Sequence, residues 1–253
     1  MIDKPLLKRR FAAALPGYDA HAAVQNEICI RLDEMIGRIR ILPVDRAMEI
    51  GAGTGFLTRL LVKRFPDAQW MLNDMIETTE EYLKPYAAGR TVAYMWGDAE
   101  QLPLPIGTDL LASASTVQWF DDVPAFMKKA ADALVAGGMF AFTTFGPDNF
   151  REIRQTTGDG LSYYSCEELQ QMLVGAGFSI AETLEYTRVL MFDTPQEVLG
   201  HIRETGVNAV RRIGWQRPNL ENFDSTYRTL FGADDGRVSL TYHPILIVAV
   251  KTE

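Results

Sequence analysis

Glu49-Ile50-Gly51-Ala52-Gly53-Thr54-Gly55 places an acid directly before a glycine-rich turn. Glycine lets the backbone bend sharply and approach a ligand closely, because a Cβ would block the approach or forbid positive φ. Where such a turn joins a strand to a helix, free amide N–H groups point at whatever lies above it. The carboxylate of Glu49 repels phosphate and welcomes a cation or an ammonium group. The spacing is G-x-G-x-G, neither the G-x-G-x-x-G of a dinucleotide fold nor the G-x-x-x-x-G-K-[ST] of a P-loop. This chemistry points away from NAD and ATP and towards S-adenosylmethionine, whose methionine half carries an amino group and a sulfonium. Two further acids are in register with it. Asp74 follows the strand-like run Gln69-Trp70-Met71-Leu72, 74 − 55 = 19 residues after the last glycine. That is close to the ~20-residue offset at which an acid reaches a ribose diol in a doubly wound sheet. Asp98 follows a third run, Thr91 to Trp96, where it could accept a hydrogen bond from an exocyclic adenine amine. Gly51, Ala52, Gly53 and Gly55, with Met75 and Ala99 beside the two acids, complete the expected donor site.

These residues need parallel strands that end on one sheet edge, and the chain alternates accordingly. Residues 6–40 are predicted helical, with Ile28, Leu32, Met35, Ile36 and Ile39 at helical spacing and Pro16-Gly17 splitting the region in two. Strands are expected near 45–50, 69–74, 91–96, 109–113 and 139–145, and two long final ones near 179–191 and 237–251. Helices are expected at 56–65, 76–84, 123–135 and 166–175, the last capped by Ser165. The alternation predicts an α/β, Rossmann-like fold: a mostly parallel seven-stranded sheet with helices on both faces. A segment at about 195–232 interrupts the last two strands and is the candidate substrate roof, together with the N-terminal helices. The expected organisation is one domain over 1–253: N-terminal helices 1–43, donor-binding core 44–192, helical insertion 193–235 and final strand 236–253.

The 253 residues are 47% hydrophobic and 23% charged, ordinary values for a globular protein. No apolar run reaches the ~18 residues of a membrane span. The first residues, Met1 to Pro5, lack the apolar core of a signal peptide, so the expected compartment is the cytoplasm. Cys29 and Cys166 stand alone, and His21, His201 and His243 have no metal-ligand spacing. A formal net charge of −8 argues against nucleic acid as a partner. Basic side chains are nonetheless gathered at Lys8-Arg9-Arg10 and at Arg203, Arg211, Arg212 and Arg217, a face suited to an acidic partner.

After the fourth strand the chain reads Ala114-Ser115-Thr116-Val117-Gln118-Trp119-Phe120-Asp121-Asp122, without an Asn-Pro-Pro-Tyr-type tetrapeptide. Gln118 and Trp119 are expected to face the sulfonium, although Trp119 as a plain core aromatic is an equal alternative. The glycine turn and the acids resemble those of the class I S-adenosylmethionine-dependent methyltransferases. A closer resemblance, through most of the chain, is to the malonyl-[acyl-carrier protein] O-methyltransferase family of biotin precursor synthesis. It is carried by Arg10-Phe11, Tyr18-Asp19, Gln118-Trp119 before two acids, Phe145-Gly146-Pro147, Glu152-Ile153-Arg154, and His201 to Asn208 with its Thr-Gly-x-Asn. Ala52, where Cys is common, and Leu161 to Ser165 depart from the family's pattern.

The resemblance implies methyl transfer from S-adenosylmethionine to the free carboxylate of a malonyl thioester on acyl carrier protein, docked on the basic face. A carboxylate is already an oxygen nucleophile at neutral pH, so no general base is needed. The expected catalytic residues are Arg154 as carboxylate clamp, with an exposed structural role an equal alternative, Tyr18 as second donor and Trp119 against the reacting methyl. The residues also allow a methyltransferase for a small carboxylic acid or quinone-type ring, or a non-catalytic S-adenosylmethionine-binding module.

Overall fold

A computed structural model describes residues 2–39, 43–206 and 217–252, with the backbone alone for 217–219. Val207, Asn208, Arg211 and Arg212 therefore lie outside the described residues, as does the side chain of Arg217. The helices are α1 (Lys4–His21), α2 (Ala23–Arg38), α3 (Thr58–Arg64), α4 (Glu80–Ala87), α5 (Val123–Ala133), α6 (Arg151–Thr157), α7 (Cys166–Gly175), α8 (Pro195–Glu204) and α9 (Arg217–Phe231). The strands are β1 (Arg46–Ile50), β2 (Gln69–Asp74), β3 (Val92–Trp96), β4 (Thr108–Ala114), β5 (Leu134–Phe145), β6 (Phe178–Glu185), β7 (Arg188–Phe192), β8 (Val238–Tyr242) and β9 (Pro244–Lys251).

Seven strands form one sheet in the order β3-β2-β1-β4-β5-β9-β6. The pairs from β3 to β5 are parallel, and β9 is antiparallel to both its neighbours, so it alone runs against the rest. The strands alternate between two apolar layers. Ala47, Leu110, Ala112, Ala141 and Val248 pack towards α2, α3, α8 and α9. Met48, Ile50, Leu111, Phe140, Phe142 and Ile247 pack towards α5 and α7. Burial on both faces explains why these strands read as near-continuous apolar runs. Along β1, Glu49 shares the first face with Ala47, a carboxylate placed among apolar side chains.

Three elements differ from the sequence expectation. Helix α1 runs through Pro16-Gly17 to His21, and the chain breaks at Ala22, which is fully buried. Proline removes one backbone donor, but Leu7, Leu15 and Tyr18 stay in helical register across it, and their packing holds the helix together. The two long final strands are each cut in two. β6 and β9 stay in the main sheet, whereas β7 and β8 pair with each other as a separate antiparallel ribbon. His243 marks one cut: its Nδ1 accepts from the Asp148 amide (3.1 Å), which leaves the proton on Nε2 to donate to Glu185 (2.9 Å). The third difference is α6, which carries Glu152 and Arg154. Glu152 is fully buried, and its carboxylate accepts from the Thr241 amide (3.0 Å) and hydroxyl (2.5 Å), fastening α6 to β8.

Candidate active site

The carboxyl ends of β1, β2, β3 and β4 open into one cleft. The turn after β1 holds Gly51, Gly53 and Gly55 at positive φ. A Cβ on Gly51 would run into the Thr116 side chain, and one on Gly55 would come within 2.6 Å of Tyr86. The turn is thus pressed between the β4 loop and α4, which only glycine permits.

Glu49 is buried beneath this turn, and Thr58 Oγ1 donates to its Oε2 at 2.7 Å. Burial pushes its pKa up to about 8; the Thr58 bond opposes the rise and nearby Asp74 adds to it. Asp74 is held from both sides, its Oδ2 accepting from the Gly53 amide (2.9 Å) and its Oδ1 from the Ile76 amide (2.8 Å). Burial raises its pKa as well, against those amides and Lys8, which favour the charged form. Asn73 Nδ2 donates to the carbonyls of Met95 (2.7 Å) and Gly97 (3.0 Å), tying the end of β2 to the loop that carries Asp98. The Oδ1 of Asp98 accepts from the Glu100 amide at 3.0 Å, and its Oδ2 pairs with Lys4 Nζ at 3.2 Å.

Helix α1 roofs the cleft with one face, Lys4, Leu7, Lys8, Phe11, Leu15 and Tyr18. Their spacing of three and four residues is that of a helix stripe, a signal present in the sequence and not used there. Lys4 also pairs with Glu100 at 2.5 Å, and Glu100 accepts from the amides of Asp121 (3.0 Å) and Asp122 (2.9 Å). Both Lys4 and Glu100 were missed by sequence reasoning, because the pair spans 96 residues.

Of the expected site residues, Glu49, Gly51, Ala52, Gly53, Asp74, Met75, Asp98, Ala99, Tyr18 and Trp119 line this cleft. Gly55 lies behind the turn against Tyr86. Gln118 and Arg154 are not brought to it. Residues 117–119 form a short 3₁₀ turn that sends Trp119 into the cleft and Gln118 into a second hollow, beside Tyr163 and Thr144. Gln118 Nε2 is spent on the Ser115 carbonyl (2.6 Å). Arg154 points outward, its Nη2 donating to the Pro147 carbonyl at 2.6 Å. Tyr18 is half-buried with its ring 5.9 Å from that of Phe56, and burial raises its pKa. His201 bonds the Tyr242 hydroxyl (2.7 Å) behind the cleft, burial lowering its pKa; His21 pairs with Glu204 (3.0 Å) outside it.

The cleft combines a buried acid, a glycine turn and two further acids at the ends of β2 and β3, and comparisons with known proteins place the chain in a family. Residues 48–142 match the family model described as a methyltransferase domain. A malonyl-[acyl-carrier protein] O-methyltransferase of Porphyromonas gingivalis is 39% identical over 250 residues, 98% of this chain and 96% of that protein. The chain belongs to the malonyl-[acyl-carrier protein] O-methyltransferase family. A protein of that name from Bacteroides fragilis is 40% identical over 98% of this chain, which spans about half (51%) of that longer relative. The fold is also that of an S-adenosylmethionine-dependent methyltransferase from Mesorhizobium loti, with a TM-score of 0.54, 15% identity and coverage of 86% and 96% of the two chains.

Membership fixes the class of chemistry as S-adenosylmethionine-dependent methyl transfer, and the cleft fits that donor. Glu49 would face its cationic methionine half, Asp74 the ribose and Asp98 the adenine. Among the described residues no helix is long and apolar enough to cross a membrane.

Proposed function

We propose that this methyltransferase esterifies the free carboxylate of a malonyl thioester carried on acyl carrier protein, forming the methyl ester that starts biotin precursor synthesis. The observation that carries this reading is the end-to-end match to the Porphyromonas gingivalis protein of that name. The cleft supports it. Bound S-adenosylmethionine supplies an electrophilic methyl group on a sulfonium, and a carboxylate needs no deprotonation to accept it. The chain's own residues align and dry the site. Leu7, Phe11, Leu15 and Trp119 present apolar surface to the cleft. Removing water from two opposite charges that vanish in the transition state favours the reaction, and alignment can supply about 7–11 kcal/mol of the barrier at best. Tyr18 lines the roof of the cleft, and in this reading it would orient the acceptor. Arg154 has no such placement, so the carboxylate clamp must come from other side chains.

The acidic carrier would dock at the end of α8, where Arg203 is exposed. Arg211, Arg212 and Arg217, expected to extend this basic face, lie outside the described side chains. Mass spectrometry with labelled S-adenosylmethionine and malonyl carrier protein, malonyl-CoA or malonate tests the function. One labelled methyl on the malonyl carrier is expected. Donor binding without transfer to any of the three would overturn the substrate assignment and leave the fold and donor site unaffected.

A further inference from the structure

The loop after β4 holds two hydrogen-bond donors that the protein itself does not use. Trp119 is 5% exposed, and its Nε1 is buried without a hydrogen-bond partner among the described residues. Ser115 Oγ, four residues earlier, is in the same condition. Both residues line the donor cleft. A buried polar group left unpaired costs about 1–3 kcal/mol, so two on one short loop call for a ligand that completes them.

The backbone shows the same investment. Ser115 adopts φ 52°, in the left-handed region that a non-glycine residue rarely occupies. Its amide is fixed by Thr143, through the carbonyl (3.1 Å) and Oγ1 (3.0 Å), and its carbonyl by Gln118 (2.6 Å). Strain held this firmly from both sides marks a position where the side chain's direction matters. The third unpaired atom of the cleft, Gln25 Oε1, is an acceptor on the distant α2 and is unsuited to an anion.

We propose that Ser115 Oγ and Trp119 Nε1 are the paired donors that hold the carboxylate receiving the methyl group. Sheet order supports the assignment. Asp98, Asp74 and Glu49 mark the donor along β3, β2 and β1, and β4, the next strand, brings Ser115 and Trp119 to its far side. Two neutral donors suit this acceptor. They fix the carboxylate without the strong charge pairing of a guanidinium, which would lower the nucleophilicity of its oxygens. In the transfer an oxygen lone pair forms the new O–C bond, the S–C bond pair returns to sulfur, and no proton moves. The inference rests on the carboxyl-methylation reading above.

Ser115→Gly deletes the hydroxyl while tolerating φ 52°, so it folds at least as well as the parent. Trp119→Phe deletes only the indole N–H and part of the ring. Each variant is expected to raise KM for malonyl carrier protein about 10-fold or more, the weight of a hydrogen bond to a charged group. The affinity for S-adenosylhomocysteine should stay within about twofold. A binding measurement separates this from the functional reading. The indole N–H resonance of Trp119, assigned by its loss in Trp119→Phe, should move downfield when a malonyl thioester joins the S-adenosylhomocysteine complex. Movement without ester formation would leave the cradle standing and sink the methylation reading. Ester formation with an unmoved resonance and unchanged KM in both variants would overturn the cradle. Loss of S-adenosylhomocysteine affinity with KM unchanged would overturn it too, assigning the two donors to the carboxylate of the methyl donor.

Discussion

The two halves of the cleft are built on opposite principles. On the β1–β3 side every acid is already engaged: Glu49 by Thr58, Asp74 by two backbone amides, Asp98 by Lys4 and the Glu100 amide. On the β4 side the donor atoms Ser115 Oγ and Trp119 Nε1 are buried and, among the described residues, unpaired. The engaged half is preorganised, its hydrogen bonds made before any ligand arrives. The unengaged half leaves its hydrogen bonds to be made by the acceptor, so recognition and completion of the wall coincide. Disturbing the first half should therefore abolish donor binding, whereas disturbing the second should change the acceptor alone.

The largest effect is expected at the glycine turn. Gly51→Ala adds a methyl where the Thr116 side chain already lies, at φ 69°. Donor affinity by calorimetry should fall more than about 100-fold, since both the clash and the left-handed backbone oppose the native turn. The double variant Gly51→Ala/Thr116→Gly removes the clash and keeps the strain, so it should recover part of the loss. Affinity within tenfold of the parent in the single variant would show that the turn is not pressed against β4 as described.

An intermediate effect with a pH signature is expected for Glu49. Its pKa is raised to about 8 in the folded protein, against ~4.3 in an unfolded chain. Between these values the native state keeps a proton that the unfolded state has released, so stability of the ligand-free protein falls as pH rises towards 8. Glu49→Gln removes that dependence. Its melting temperature should match the parent near pH 4 and exceed it increasingly up to pH 8. A cationic donor beside Glu49 favours the carboxylate and expels the proton. Parent affinity for S-adenosylmethionine should therefore tighten with pH up to about 8, and the variant should bind about 10-fold more weakly there with no such trend. Identical pH profiles for the two proteins would remove Glu49 from the cation site.

The sequence exposes these two halves unequally, for a physical reason. The donor half is local: an acid and three glycines in seven residues, and acids just beyond apolar strands, so spacing alone brings them to one edge. The acceptor half depends on direction. Gln118 and Trp119 are adjacent in sequence, yet a single 3₁₀ turn sends one into each hollow. Arg154 follows β5 as expected but sits on α6, whose preceding residue Phe150 takes φ 52° and turns the helix so that the guanidinium meets Pro147. Likewise Pro16 read as a break, because the packing that carries α1 past it comes from residues far along the chain. His243 cuts what read as one strand through bonds to Asp148 and Glu185, partners that no local pattern reveals.

The smallest effect is expected where the two halves share a roof. Lys4 fastens the start of α1 to Asp98 and Glu100, and Glu100 in turn holds the amides that open α5. The Ile2 amide adds a bond to Asp121 at 2.9 Å. This anchor ties the start of α1 across the Asp98 end of the cleft, where it is expected to slow the passage of the methyl donor and its product. Lys4→Met keeps the aliphatic stem and removes the charge, leaving Glu100 with its two amides. The start of α1 should then exchange its amide hydrogens faster, and S-adenosylhomocysteine should leave several-fold faster in a stopped-flow displacement. Equilibrium affinity should weaken by less than that factor, because a latch that parts for exit parts for entry as well. High salt should bring the parent part of the way towards the variant, as it screens a partly exposed pair. KM for the acceptor should change less than the release rate, since Lys4 meets the β4 loop through the Phe120 ring, its Nζ 5.6 Å from the ring centroid, rather than through Ser115 or the Trp119 indole N–H. An equal loss at both ends would mean that α1 moves as one rigid lid over donor and acceptor together, and the division of the cleft into two independent halves would fail.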